Sequence, residues 1–86
     1  MSPLTELPNI GPVLAERLKN AGIFDLTGLR AVGSKAALML IRGTGQDTCL
    51  SMLYALEGAV QGVRWHNLDK AVKAELKEYY TARERK

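Results

Sequence analysis

Leu7-Pro8-Asn9-Ile10-Gly11-Pro12 runs directly into Val13-Leu14-Ala15-Glu16-Arg17-Leu18-Lys19-Asn20, and the join between the two segments decides the fold. Asn9 and Gly11 tolerate backbone angles that other residues resist. Pro12 suits the first position of a helix, where no intrahelical N–H bond is lost. The helix that follows carries an apolar face at Val13, Leu14, Leu18 and Ala21, and Gly22 ends it. A glycine turn ahead of a helix start also points backbone N–H groups outward, a geometry able to hold a phosphate. The stretch therefore raises the question of a nucleic-acid partner.

The rest of the chain reads as helices joined by short connections. Leu and Ala dominate and β-branched residues are few, which favours helix. Ser2 and Pro3 suit the start of a short helical turn through Leu7. Asp25 caps a brief helix through about Ala31, with Leu26 and Leu29 facing inward. Gly33-Ser34 makes a second turn, and Ser34 caps a helix carrying Ala37, Leu38, Leu40 and Ile41. Gly43-Thr44-Gly45 reads as a loop. The longest apolar helix opens at Asp47 or Thr48 and runs to about Val60. Leu50, Leu53, Tyr54, Leu56 and Val60 cover more than half of its circumference, which makes it the expected centre of the core. Gly58 inside it costs about 1 kcal/mol against Ala, so another helix is expected to approach closely there. Gly62 ends this helix, and Trp65 is expected to close the core from the following loop. Asp69 caps the last helix, with Ala71, Val72, Leu76 and Tyr79 or Tyr80 inward. Lys70, Lys73, Lys77 and Glu78 fill its other side, and its end should fray from about Arg83. The expectation is a single all-α domain over residues 1–86, a bundle of four to five short helices with two related hairpins.

Composition narrows the function. The apolar fraction of 47% is that of a globular chain. No secretory signal pattern opens the sequence, and the longest apolar run, Ala36 to Ile41, is far short of the roughly 20 residues a membrane span needs. A cytoplasmic protein without membrane contact is the simplest reading. Cys49 is the one cysteine, read as a small buried hydrophobe. His66 has no Cys or His at ligand spacing, so neither a metal nor another cofactor is expected. No Ser/His/Asp set, carboxylate pair or phosphate-binding loop of the nucleotide-hydrolase kind is present, so no catalytic residue is assigned. The net charge is +3, but Arg83, Arg85 and Lys86 against Glu84 account for most of it, so charge alone only permits a nucleic-acid partner.

Shifting the chain by 22 residues lays Leu7–Leu18 over Leu29–Leu40, with Leu, Ile or Val, Gly, Ala and Leu at matching places. Each copy is a helix end, a turn with an apolar residue followed by Gly, and a new helix. This pattern resembles the helix-hairpin-helix unit of many DNA-repair and replication proteins, which holds the DNA backbone without reading bases. The resemblance implies phosphate contact through Gly11, Gly33, Ser34 and Lys35, with Arg17 and Arg30 nearby. The second turn, with Arg30 and Lys35, is the better candidate on charge. The first has Asn9 where Gly is usual, Val13 where Lys is common, and Pro12 without an N–H. The alternative is that both turns only pack helices at an angle, with Ile10 and Val32 as plugs.

Leu53-Tyr54-Ala55-Leu56-Glu57-Gly58-Ala59, then Gly62-Val63, Trp65 and Leu68, looks like the signature of the TfoX (Sxy) C-terminal domain. The first half agrees in Leu7–Pro12, Ala21-Gly22-Ile23, Asp25-Leu26 and Leu29–Gly33. The resemblance extends from about Leu4 to Leu76. It implies an all-helical domain related to helix-hairpin-helix folds. Full-length members of that family carry a separate N-terminal domain and act as positive regulators of natural competence in bacteria. They are thought to work with the cAMP receptor protein. The role implied here is regulatory, either through the DNA backbone or as a protein-interaction domain that contacts a transcription factor or its own kind. Tyr54, Gly58 and Trp65 have a packing explanation. Glu57 can accept hydrogen bonds from a helix N-terminus or pair with Arg64, and these two are the candidate partner contacts.

Overall fold

The structure, a computed structural model, describes Leu4, Leu7 and residues 9–84. Four helices follow in order: α1 Pro12–Asn20, α2 Leu26–Gly43, α3 Leu50–Gln61 and α4 Lys70–Glu84, with a 3-10 turn at Trp65–Asn67 between the last two. No strand occurs among the described residues. The Ser2–Pro3 start expected for an N-terminal turn lies outside them, although Leu7 N–H donates to the Leu4 carbonyl at 3.0 Å.

Local chemistry sets most boundaries. Pro12 opens α1, and Gly22 follows it with φ +89°. Asp25 caps α2 by accepting the Gly28 N–H at 2.8 Å, replacing a partner that the first helical turn lacks. Gly62 closes α3 in the left-handed conformation, with φ 76°. The two helices expected on either side of Gly33 are both present, running together as the two halves of α2 with a kink at that non-helical residue between them. Gly33 has φ 84° and ψ 164°, a region open in practice only to glycine.

Helix α3 packs against both α2 and α4. Leu53 and Leu56 are fully buried from α3, meeting Leu29, Leu38 and Ile41 of α2, Leu18 of α1 and Leu76 of α4 in one core. Burying side chains of this size stabilises by about 1.5–3 kcal/mol each before the entropy of ordering is set against it. The 44–49 loop is held on both sides. Arg42 Nη2 donates to Thr48 Oγ1 at 2.9 Å, and Tyr80 Oη donates to the Thr48 carbonyl at 3.1 Å. Arg17 Nη1 donates to the Asp47 carbonyl at 2.7 Å, which ties α1 to the same loop.

Several residues lie where the sequence pattern did not put them. Val13 is 68% exposed, because the apolar face of α1 centres on Leu14, Ala15 and Leu18. Val32 is 40% exposed and does not plug the core as Ile10 does, since the kink at Gly33 turns it outward. Cys49 is exposed, because α3 starts at Leu50 and leaves Cys49 outside the packed face. Trp65 does not close the core. It is 37% exposed and lies nearly parallel to Tyr54, 9° between planes with centroids 6.0 Å apart. In the last turn of α4 the Arg83 guanidinium lies 4.2 Å from the Tyr79 ring centroid.

Candidate nucleic-acid interface

The first turn is fastened by one side chain. Asn9, at φ 70°, donates through Nδ2 to the Val63 carbonyl at 3.0 Å and accepts the Trp65 N–H on Oδ1 at 3.1 Å. The amide thus joins the N-terminal turn to the loop after α3. It crosses directly over Gly58, where a Cβ would meet Asn9 Nδ2, lie 2.8 Å from the Val63 carbonyl oxygen and 3.2 Å from Trp65 N. The close approach expected at Gly58 is therefore made by a side chain and a loop, not by a helix. At the start of α1, Gly11, Pro12 and Val13 are exposed. Gly11 is the N-cap without a side-chain cap bond, and no acidic residue stands in the first turn of α1. The positive end of that helix is open.

The second turn is built differently. Ser34 is 4% exposed, and its hydroxyl donates to Glu57 Oε1 at 2.6 Å. Glu57 Oε2 accepts from Gln61 Nε2 at 2.6 Å. A carboxylate from α3 therefore stands where the second half of α2 begins, at the positive end of that segment. Lys35 pairs with Glu75 of α4 at 3.3 Å and lies 5.3 Å from the Tyr79 ring centroid. Arg30 Nε donates to the Val60 carbonyl at 3.2 Å, near the C-terminal end of α3. Ser34, Lys35 and Arg30 thus join α2 to α3 and α4. The groove beside Gly33 is walled by both Glu57 and Glu75.

The two turns share a sequence pattern but not a backbone. The positive φ falls at Asn9 in the first and at Gly33 in the second, two places out of register, while Gly11 has φ −91°. Of the expected phosphate residues, Gly11 stays exposed. Arg17 is half-buried, with one of its five N–H donors on Asp47. Glu57 bonds to Ser34 and Gln61, while Arg64 is exposed in the loop that Asn9 holds. Beyond Arg64 stands a group that motif reading passed over. His66 stacks on Trp65 with centroids 4.3 Å apart, and Lys73 Nζ lies 5.5 Å from the Trp65 centroid while donating to the His66 carbonyl at 3.1 Å. The signal was present in the sequence as Lys70, Lys73 and Lys77 spaced i, i+3, i+7, just after the one tryptophan.

A family model described as the TfoX C-terminal domain matches residues 1–80. The chain belongs to the TfoX C-terminal domain family. It is 33% identical over 76 residues to Protein Sxy of Escherichia coli (strain K12), covering 88% of this chain but only 36% of that protein. The TfoX C-terminal fold described above also matches two crystal structures from Listeria monocytogenes. One is an uncharacterized protein in a triclinic form, 51% identical, with a TM-score of 0.94 over 98% of this chain and 96% of the other. The second is a protein of unknown function in a tetragonal form, 53% identical, with a TM-score of 0.88 over 92% of this chain and 98% of that one. No helix among the described residues is long and apolar enough to cross a membrane.

Proposed function

We propose that this TfoX C-terminal domain is a non-catalytic regulatory module in the control of DNA-transformation genes. In this reading it contacts the DNA backbone through its first hairpin turn. The observation that supports it is the contrast between the two helix starts. The N-terminus of α1 is exposed, uncapped and free of acidic neighbours in its first turn, whereas Glu57 stands at the start of the second half of α2. An open helix N-terminus attracts anions through its unsatisfied N–H groups and dipole. Arg17, with N–H donors beyond the one on Asp47, adds charge beside it. Gly33, Ser34 and Lys35 serve the packing of α2 against α3 and α4. Such contact carries no base specificity, and its affinity falls steeply with salt.

Gly11→Asp tests this without harming the fold. Gly11 has φ −91°, and a Cβ there meets nothing within 4 Å. An aspartate is a good N-cap, so stability should hold or rise by a few tenths of a kcal/mol while the new carboxylate repels phosphate. The expected result is weaker binding of a duplex at low salt with an unchanged or higher Tm. Unchanged DNA affinity in this variant refutes the assignment to the first turn.

A second reading has its own observation. Val13 and Phe24 are 68% and 65% exposed, large apolar groups that fit a protein partner. A transcription factor of the cAMP receptor protein kind, or a second copy of the chain, is the partner this reading names. Phe24→Lys should then abolish co-elution with that partner and leave DNA affinity alone.

A further inference from the structure

We propose that the Arg64–Asn67 turn and the lysine edge of α4 form a binding surface for single-stranded nucleic acid, with the stacked Trp65 and His66 as its aromatic element. This rests on the DNA-contact reading above and extends it to a second element and a narrower ligand class.

The geometry begins with the aromatic groups. Trp65, partly exposed, is backed by Tyr54, whose hydroxyl donates to the Lys73 carbonyl at 3.5 Å. His66, exposed, stacks on the same indole. The aromatic group is rooted in the core at Tyr54 and reaches solvent at Trp65 and His66. Lys73 fixes it by its bond to the His66 carbonyl and its place near the indole. An aromatic group held this rigidly loses little entropy when a base packs on it.

The charges are sorted to match. Lys70, Lys73 and Lys77 share one edge of α4, and the contacts of Lys73 place that edge beside Trp65 and His66. Arg64 adds a fourth cation from the turn itself. Glu75 of α4 is turned to Lys35, Glu78 lies one position beyond Lys77 and so farther round the helix, and Asp69 stands just ahead of Lys70. Asn9 joins this surface to the first turn through its bond to Trp65 N–H, so Gly11 and the Arg64 turn sit on neighbouring loops. Aromatic rings interleaved with cations hold unpaired bases by stacking and their phosphates by charge. A duplex keeps its bases stacked on one another and offers mainly its phosphates and groove edges, so the aromatic groups favour the single strand.

The chain has one tryptophan, so its emission reports on the proposed surface directly. The test titrates the protein with a thymidine oligonucleotide of about 20 residues and with a duplex of equal length, following Trp65 emission and the anisotropy of labelled DNA. Stacking predicts quenching by the single strand and tighter binding of it than of the duplex. Four phosphate contacts predict roughly a 50-fold loss of single-strand affinity between 50 and 200 mM salt. Arg64→Glu with Lys70→Glu, both at exposed positions, should keep the Tm and cut the salt slope by about half. His66→Ala and Trp65→Ala should each weaken single-strand binding, the latter about tenfold. Equal binding of both forms with unchanged Trp65 emission overturns this proposal and leaves phosphate contact at the first turn standing. Absence of any binding at low salt overturns both.

Discussion

Gly58→Ala sets two known effects against each other, and the structure decides which prevails. In an open helix the change gains about 1 kcal/mol from helix propensity. Here the new methyl meets Asn9 Nδ2, sits 2.8 Å from the Val63 carbonyl oxygen and 3.2 Å from Trp65 N. Two of these three atoms are backbone, so the strain cannot be relieved by turning one side chain. Overpacking of this kind costs about 1–3 kcal/mol. If Asn9 is pushed aside, its two hydrogen bonds are lost as well, at about 0.5–1.5 kcal/mol each. These terms overlap, and after the propensity gain the expected net loss is about 1–3 kcal/mol. For a domain of this size that lowers Tm by roughly 5–20 °C. Thermal unfolding followed by circular dichroism gives the magnitude, and Trp65 emission shows whether the loop shifts before global unfolding. Asn9→Gly provides the control, since glycine accepts φ 70° and removes one obstacle. In that background Gly58→Ala should cost less but still destabilise, because Val63 and Trp65 remain. A rise in Tm for Gly58→Ala alone, of the size propensity predicts, would refute the close approach.

Three further outcomes follow from the same contacts. Glu57→Ala leaves the buried Ser34 hydroxyl without its acceptor and should cost about 1–3 kcal/mol in urea unfolding, whereas Glu57→Gln keeps an acceptor oxygen and should recover most of that. Gly33→Ala, at φ 84° and ψ 164°, should cost about 1–3 kcal/mol from backbone strain alone, since the space around it is open. The related Gly11→Ala should stay within about 0.5 kcal/mol, and equal costs at both sites would show that the two turns are equivalent after all. Cys49 should react with a thiol reagent in native buffer about as fast as in urea, and strong protection would contradict its exposure.

The fold was legible in the chain wherever one local rule acted alone. Asp25 as a cap, Gly62 as a left-handed stop and the leucine stripe of α3 each follow from nearest-neighbour chemistry, and each stands in the structure. What was not legible depends on partners distant in sequence. Asn9 reads as a poor substitute for glycine in a phosphate turn until Val63 and Trp65, more than fifty residues away, supply its two bonds. Val32 matches Ile10 in the repeat, yet the kink at Gly33 sends one outward while the other stays in the core. Hydrophobicity alone puts Trp65 in the core, although a tryptophan stacked with Tyr54 and His66 satisfies packing while leaving area exposed.

The divergence of the two hairpins has a single electrostatic root. Both place a helix start after a glycine, and both starts carry unsatisfied N–H groups. At the second, the protein supplies its own anion: Glu57 reaches from the third turn of α3 and binds Ser34, while Glu75 takes the charge of Lys35. That arrangement joins α2, α3 and α4 and makes the turn a packing joint. At the first, the fixing of the turn falls to Asn9, a neutral amide directed away from the helix start toward Val63 and Trp65. The turn is held in shape without its helix end being neutralised, and Asn9 sets it beside Arg64 and the stacked Trp65 and His66. The duplicated pattern has thus been divided between two tasks, one copy closing the bundle and the other leaving a positive helix end exposed. The residue substitution that weakens the first turn as a motif, Asn for Gly, is what aligns it with the aromatic surface.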